Sequence, residues 1–253
     1  MSFERPATIK EVIENIHRKN YLLPSIQREF VWEDDQITKL FDSLMRGYPI
    51  GSFLFWYVEK ENSNSYQFYE FIRNYHELNL KHNPKADISG EDDIIAVLDG
   101  QQRLTALYLG LKGSVARKIP KKRVNNPDAY PEKILALNLL SPPEEPSDME
   151  YDFQFVEKDA CEKYINNAFW FRVGKVLDFK EPSDVNDYLI DNGLNVFEDK
   201  DKAKFANRTL FKLNDLIHKM EIINYYLEKD TSLDKVLRSH PKTLLKRITI
   251  QPS

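Results

Sequence analysis

The sequence predicts an α/β (α+β) fold, in which short buried strands alternate with amphipathic helices. Residues 94–98 form a continuous apolar run rich in β-branched side chains, which is typical of a strand covered on both faces. Apolar side chains then recur at helical spacing over residues 104–111. Residues 34–46 show the same spacing, and the apolar run of residues 50–58 follows them as a second central strand.

Composition narrows the class of protein. The chain has 253 residues, 42% of them hydrophobic and 12% aromatic, which indicates a globular protein with a substantial core. Its net charge of −4 gives no general attraction to nucleic acid, so any such binding requires a local patch. Cys161 is the single cysteine, which excludes a disulfide framework and fits the reducing cytoplasm. The sequence contains no run of about 18 apolar residues and no apolar segment at its amino end, so neither a membrane span nor export is expected.

The N-terminal region predicts a capped helix and then an ambiguous segment. Residues 8–11 (Thr-Ile-Lys-Glu) resemble a capping box, and residues 21–23 are a short strand candidate. Residues 25–32 alternate long polar with bulky apolar side chains. Strand alternation explains this pattern without function, but Gln27 and Arg28 are equally suited to face a ligand.

Residues 59–93 read as a polar insertion with one amphipathic helix over residues 68–78. His76 and His82 lie in this insertion without a cysteine or paired acids nearby, so a metal site is not expected there.

The C-terminal half predicts further strands and a long helix. Residues 134–140 and 151–155 are strand candidates on either side of a proline-rich loop. A helix is predicted over residues 204–220 and a late strand over residues 222–227. The part from residue 147 to residue 237 is expected to be mostly helical.

Five residues without an apolar side chain separate the strand at 94–98 from the helix at 104–111. A strand that passes to a helix through a polar turn presents free backbone N–H groups and the positive end of the helix dipole. Such a turn favours an anion, and Arg103 adds a bidentate phosphate donor. Asp99 beside a phosphate fits a metal or water ligand. The alternative is that Asp99 only caps the helix and Arg103 is an ordinary surface residue.

A basic run follows the helix, with five cations in seven residues: Arg117, Lys118, Lys121, Lys122 and Arg123. The pattern favours a solvated loop. The alternative is a contact with the nucleic-acid backbone.

Three motifs in order resemble the N-terminal ParB-like domain of the GmrSD family of modification-dependent restriction and phage-defence proteins. They are Pro24 with Gln27, Arg28 and Trp32; the Tyr-Pro-Ile-Gly-Ser run at 48–52; and the Val-Leu-Asp-Gly-Gln-Gln-Arg-Leu-Thr run at 97–105. The resemblance is densest over residues 8–111 and continues weakly to about residue 237.

This resemblance implies a ParB/sulfiredoxin-like fold, with a small mixed sheet and packed helices, that binds a nucleoside triphosphate with Mg²⁺. It assigns residues 1–140 to a nucleotide-binding core and residues 147–237 to an extension of the same domain. Asp99, Gln101, Gln102 and Arg103 would form the catalytic phosphate and water segment, with Asp99 on the metal. The nucleotide-binding residues would be Gln27, Arg28, Gly100, Arg103 and Thr105.

The function expected from this resemblance is an NTP-binding and NTP-hydrolysing regulatory subunit in the cytoplasm. Its expected partners are DNA, a separate nuclease domain or subunit, and further copies of itself in a homo-oligomer. The nuclease half of relatives in this family often carries a His-Asn-His type metal site, and the five histidines of this chain do not match one. The chain is therefore not expected to cut DNA by itself. A non-catalytic module that binds DNA or a partner protein is one alternative, and a nucleotide-switched nucleic-acid clamp is another.

The tail at residues 238–253 departs from the family pattern, because Pro241 interrupts the expected helix and the residues that follow it are basic. The expectation is a truncation or frameshift near residue 238, which would leave an incomplete pocket with weak hydrolysis. A natural short member with a basic tail is the alternative.

Overall fold

A computed structural model describes residues 2–25, 29–63, 65–89, 93–197 and 199–229. Gln27, Arg28 and the tail at 238–253 lie outside the described residues.

The elements follow one another along the chain as mixed strands and helices. The strands are β1 (Ser2–Phe3), β2 (Tyr21–Pro24), β3 (Ser52–Val58), β4 (Phe68–Tyr69), β5 (Asn74–His76), β6 (Ile94–Asp99), β7 (Ser114–Ala116), β8 (Glu132–Asn138), β9 (Phe153–Glu157), β10 (Tyr164–Ile165), β11 (Ala168–Arg172) and β12 (Asn224–Glu228). The helices are α1 (Ile9–His17), α2 (Asp34–Met45), α3 (Lys60–Ser63), α4 (Gln101–Lys112), α5 (Pro182–Asp191) and α6 (Lys200–His218), with short 3₁₀ turns at Pro127–Ala129, Lys158–Ala160 and Val173–Asp178.

Two sheets organise these elements and confirm the α/β class. The first has the strand order β1-β12-β3-β6-β2-β4, and the second has the order β10-β11-β8-β7-β5 with β9 paired to β8. The pairs β2–β6 and β12–β3 are parallel, whereas β3 and β6 are antiparallel. The structure therefore has two mixed sheets where the sequence suggested one.

The main core extends from one face of the first sheet to one face of the second, through α1, α2, α4 and α6. It includes Phe55 and Val97 from the first sheet and Leu135 and Phe171 from the second. A smaller cluster around Trp56 covers the opposite face of the first sheet. Helix α4 has nine buried residues among its twelve, so it is covered nearly all round.

The capping box that begins α1 is confirmed. The Thr8 side chain accepts a hydrogen bond from the Glu11 N–H, and the Glu11 carboxylate accepts one from the Thr8 N–H at 2.7 Å. Helix α2 also lies where helical spacing placed it.

The helix expected over residues 68–78 is wrong. This stretch forms β4 in the first sheet and β5 in the second. Phe68 is buried in the small cluster and Ile72 in the main core, so the apolar residues serve two separate cores instead of one helical face. Strand pairing with β2 and β7 outweighs the helical periodicity.

The region after residue 147 contains α6, which the sequence predicted, and α5, which it did not, and it also contributes to both sheets. Strands β9, β10 and β11 extend the second sheet, and β12 enters the first sheet between β1 and β3. No helix among the described ranges has both the length and the apolar character needed to cross a membrane.

Candidate functional site

The three sequence motifs meet at one edge of the first sheet. Strands β2 and β6 are parallel, so their carboxyl ends lie at the same edge. Strand β3 runs antiparallel to β6 and begins there, with Leu54 opposite Asp99. The segments that follow β2, precede β3 and follow β6 are therefore neighbours in space.

Gly100 makes the tight passage from β6 into α4. It is the N-cap of the helix with φ +89°, a left-handed conformation that favours glycine. A Cβ at this position would lie 2.1 Å from Cδ1 of Phe53, so a side chain has no room. Asp99 is the last residue of β6 and no side chain caps the helix from the N-cap position, so the interpretation of Asp99 as a cap is wrong.

Arg103 is folded back over the start of β3. Its guanidinium group donates hydrogen bonds to the carbonyls of Ile50 and, at 3.0 Å, Ser52. The side chain is 24% exposed and one nitrogen lies 3.8 Å from the Asp99 carboxylate. The alternative that Arg103 is an ordinary surface residue is wrong, because much of its donor capacity is used inside the protein.

Gln102 joins the turn to the segment after β2. Its side-chain amide donates to the Glu29 carbonyl at 2.9 Å and accepts from the Val31 N–H at 3.0 Å. This paired contact fixes the backbone that directly follows Gln27 and Arg28, which are outside the described residues. Gln102 therefore holds that segment against the start of α4.

Gln101 and Thr105 lie deeper than the rest of the motif. Each is 3% exposed, and both belong to the buried part of α4. A ligand that approaches the sheet edge would meet the side chains of Asp99 and Arg103 before either of them.

The donor set at this edge suits a magnesium ion shared with a ligand. Magnesium is usually held by one or two carboxylates together with phosphate oxygens, not by a cage made only of protein ligands. Asp99, with 19% of its side chain exposed, supplies one carboxylate. Across the described ranges, no cluster of three or more His, Cys, Asp or Glu residues forms a metal cage. The single carboxylate fits Mg²⁺ only with a phosphate ligand as co-ligand.

Arg117 is mostly buried and stabilises the fold through ion pairs, so it is not part of an exposed basic loop. Its side chain is 19% exposed, forms an ion pair with Glu33 at 2.8 Å and a second one with Asp34, and donates to the Trp32 carbonyl at 2.7 Å. Its guanidinium carbon also lies 4.8 Å from the ring centre of Tyr75. Burial lowers the pKa of Arg117, but the hydrogen bond and charge of Asp34 outweigh it and the pKa is raised.

The remaining basic residues of the run differ among themselves. Lys121, Lys122 and Arg123 are exposed, whereas Lys118 is half-buried and its N–H donates to Glu77 at 2.7 Å. Lys122 also donates to the Asp128 carbonyl at 2.9 Å. The solvated-loop interpretation thus fits residues 121–123 and fails for Arg117.

Sequence reasoning missed Phe53 and Gly51 as parts of this site. The Arg103 guanidinium carbon lies 4.5 Å from the centre of the Phe53 ring. Gly51 has φ +84°, and a Cβ there would lie 2.6 Å from Nη1 of Arg103. The signal was present in the Gly-Ser-Phe run at residues 51–53, since a glycine directly before an apolar strand often marks a close backbone approach.

Comparison with known proteins gives two matches. Residues 9–239 match the family model described as the GmrSD restriction endonuclease, N-terminal domain. A segment of 120 residues is 32% identical to an uncharacterised protein of Methanocaldococcus jannaschii. The match covers 47% of this chain and 19% of that protein, so the chain spans about a fifth of the length of this curated relative.

Proposed function

Because the chain belongs to the family of the GmrSD restriction endonuclease N-terminal domain, we propose that it is the nucleotide-binding regulatory component of a restriction or defence system. The ligand is a nucleoside triphosphate with Mg²⁺. It binds at the amino end of α4 and controls a separate nuclease domain or subunit that acts on DNA.

One observation carries this proposal. The N-cap Gly100 provides no side-chain cap, and the partly exposed Asp99 and Arg103 flank the amino end of α4 at the sheet edge where the three motifs meet. Helix amino ends bind phosphate through backbone N–H groups and the helix dipole. A carboxylate and a guanidinium group at such an end fit a phosphate–magnesium pair.

In this proposal, each residue at the amino end of α4 has its own role in binding the nucleotide. The first-turn N–H groups of α4 and the exposed part of Arg103 would hold phosphate oxygens, and Asp99 would hold Mg²⁺. Bound magnesium supplies neutralisation of phosphate charge. Gln102 would keep the segment after β2 in place, because both ends of its amide already contact Glu29 and Val31.

A non-catalytic module that binds nucleotide without hydrolysing it is the second candidate, and the placement of Arg103 favours it. Two donors of Arg103 bond to the carbonyls of Ile50 and Ser52, which leaves less of the guanidinium group for a transition-state phosphate. In that case nucleotide would bind at this edge without being hydrolysed.

A panel of nucleoside triphosphates with and without Mg²⁺ separates the two candidates. Thermal shift reports binding, and release of inorganic phosphate reports turnover. Binding with turnover supports the regulatory NTPase, and binding without turnover supports the non-catalytic module. Absence of any nucleotide-dependent shift would overturn both.

A further inference from the structure

A charged cleft lies at the opposite end of α4 from the proposed nucleotide site. Its volume is about 390 Å³. The charged side chains that line it comprise four cations and two carboxylates: Arg73, Lys112, Arg172, Lys175, Glu162 and Asp178.

Close backbone packing fixes the walls of this cleft. A Cβ at Gly113 would lie 2.0 Å from the Arg73 carbonyl, and one at Gly174 would lie 2.3 Å from the Leu111 carbonyl. Nε of Arg73 also donates to the Lys112 carbonyl at 3.0 Å. Three separate segments are thereby held together around the cations.

The carboxylates pair with only one of the four cations, Lys175. Glu162 accepts hydrogen bonds from the Tyr188 hydroxyl and the Arg172 N–H, and it lies 3.6 Å from Nζ of Lys175. Within the described part of the chain, no carboxylate lies within 4.0 Å of the charged groups of Arg73, Lys112 or Arg172. Attraction to the negative end of the α4 dipole explains why Lys112 and Arg73 lie there, but it does not explain the position of Arg172. The cleft is therefore a local site of positive charge on an acidic chain.

An aromatic side chain lies beside the cleft on the same surface. Along β11, Phe169 and Phe171 face the main core, so Trp170 and Arg172 lie on the other face. Two residues along a strand place them about 7 Å apart. Trp170 is half-buried, packs against the small cluster of Ile134, Ala136 and Cys161, and lines a separate cleft of about 590 Å³. The amides of Asn138 and Gln154 and the carboxylates of Glu144 and Asp152 also line that cleft.

We infer that a single strand of nucleic acid passes along the carboxyl end of β11, with a backbone phosphate in the basic cleft at Arg172 and a neighbouring base against Trp170. Grooves that combine cations with aromatic platforms are typical of single-strand binding, because the cations follow the backbone and the rings stack on bases. A base paired in a duplex is not available for such stacking, and a free phosphate would not use Trp170. The inference goes beyond the proposed function, since it concerns a different site and a different ligand.

A charge-matched pair of double variants tests the phosphate contact. Lys112→Ala with Arg172→Ala removes two cleft cations. Lys204→Ala with Arg208→Ala is the control, because it removes the same charge from two exposed residues in the amino-terminal half of α6. The other end of α6 is the one near the cleft, since His218 there contacts the Val176 carbonyl. Binding of a labelled oligothymidylate to the full chain is followed by fluorescence anisotropy across a salt series. We expect the cleft variant to bind about tenfold or more weakly, with the log–log salt slope reduced by about 0.7 for each phosphate that the variant no longer neutralises. The control should match the unmodified protein.

Tryptophan fluorescence tests the base contact. Oligonucleotide should quench the emission of the unmodified protein, and Trp170→Phe should abolish that quenching while Trp32 and Trp56 remain. Equal loss of affinity in both double variants, tighter binding of a duplex, or displacement by stoichiometric pyrophosphate would overturn the inference. Quenching that persists in Trp170→Phe would also overturn it.

The nucleotide thermal shift of the same cleft variant keeps the two proposals apart. A retained shift with weakened oligonucleotide binding supports the cleft. If the unmodified protein binds the oligonucleotide through the cleft and shows no nucleotide shift, the proposed function fails and this inference stands.

Discussion

The guanidinium group of Arg103 lies over the ring of Phe53, 4.5 Å from its centre, and ties the backbone before β3 to the first turn of α4. Gly51 and Gly100 lie against this pair, and neither position has space for a Cβ. Two motifs that are about 50 residues apart in sequence therefore form one packed unit, whose disruption we expect to affect both the fold and the site.

Gly100→Ala should destabilise the protein strongly, because alanine would adopt φ +89° and its Cβ would overlap the Phe53 ring. Gly47→Ala is the matched control, since Gly47 has φ +85° but nothing within 4 Å of the added Cβ. Backbone strain alone costs about 1 kcal/mol or a little more. Urea unfolding should show a clearly larger loss for Gly100→Ala. Equal losses would mean that the contact with Phe53 contributes nothing.

Arg103→Ala should lower stability by roughly 2 kcal/mol, because it removes charge-assisted hydrogen bonds to two carbonyls. Arg103→Lys should recover only part of this, since an ammonium group does not reproduce the planar fork. Urea unfolding and nucleotide thermal shift are measured on both variants. A Lys variant as stable as the unmodified protein would contradict the role of the fork.

Asp99→Asn should abolish the Mg²⁺ dependence of nucleotide binding and leave the start of α4 intact, because Gly100 and not Asp99 is the N-cap of α4. Asp199→Ala is the control, since the Asp199 side chain caps α6 by accepting from the Asp201 N–H. The control should lose about 1 kcal/mol of stability and keep its magnesium response. The metal assignment is withdrawn if Asp99→Asn and the unmodified protein give the same magnesium titration.

Arg117→Met should destabilise the protein by roughly 1.5 kcal/mol, because it removes charge-assisted hydrogen bonds to Asp34 and the Trp32 carbonyl while Glu33 and Asp34 keep access to water. Replacing Lys121, Lys122 and Arg123 with glutamine should change stability by less than about 0.5 kcal/mol. Thermal unfolding measures both. A DNA contact by residues 121–123 would appear as a weaker salt dependence of DNA binding in the triple variant.

Stability should fall as the pH drops below 6.5, in part because of His218. Burial lowers the pKa of His218 from 6.5, although the hydrogen bond to the Val176 carbonyl opposes this shift. The unfolded chain therefore takes up the proton before the folded protein does, and protonation favours unfolding as the pH falls through that interval. His218→Gln should show a shallower acid-side decline in urea midpoint between pH 6.5 and pH 5. An identical decline in the variant would exclude His218 as a contributor.

Much of the first sheet and its helices was predictable from local patterns. The capping box of α1, the stripe of α2 and the apolar run of β6 each contain their own signal, and each lies where expected. Residues 68–76 were not predictable in this way, because their strands depend on partners that are distant in sequence, such as β2 and β7.

The site was predictable as a location but not in its internal contacts. The polar turn between β6 and α4 was visible in the residue types at 99–103. The paired contact of Gln102 with Glu29 and Val31 depends on strand order in the sheet, which a single sequence does not give. The same holds for Arg117, whose ion pairs with Glu33 and Asp34 connect residues more than 80 positions apart.

Helix α4, buried along nearly its whole length, connects the proposed nucleotide site at Gln101 to the basic cleft at Lys112. Its twelve residues span about 18 Å. A helix packed on almost every side moves as a unit, so a displacement at one end is transmitted to the other. If the two ligands are coupled through α4, thermodynamic reciprocity requires that the factor by which nucleotide changes oligonucleotide affinity equal the factor by which oligonucleotide changes nucleotide affinity.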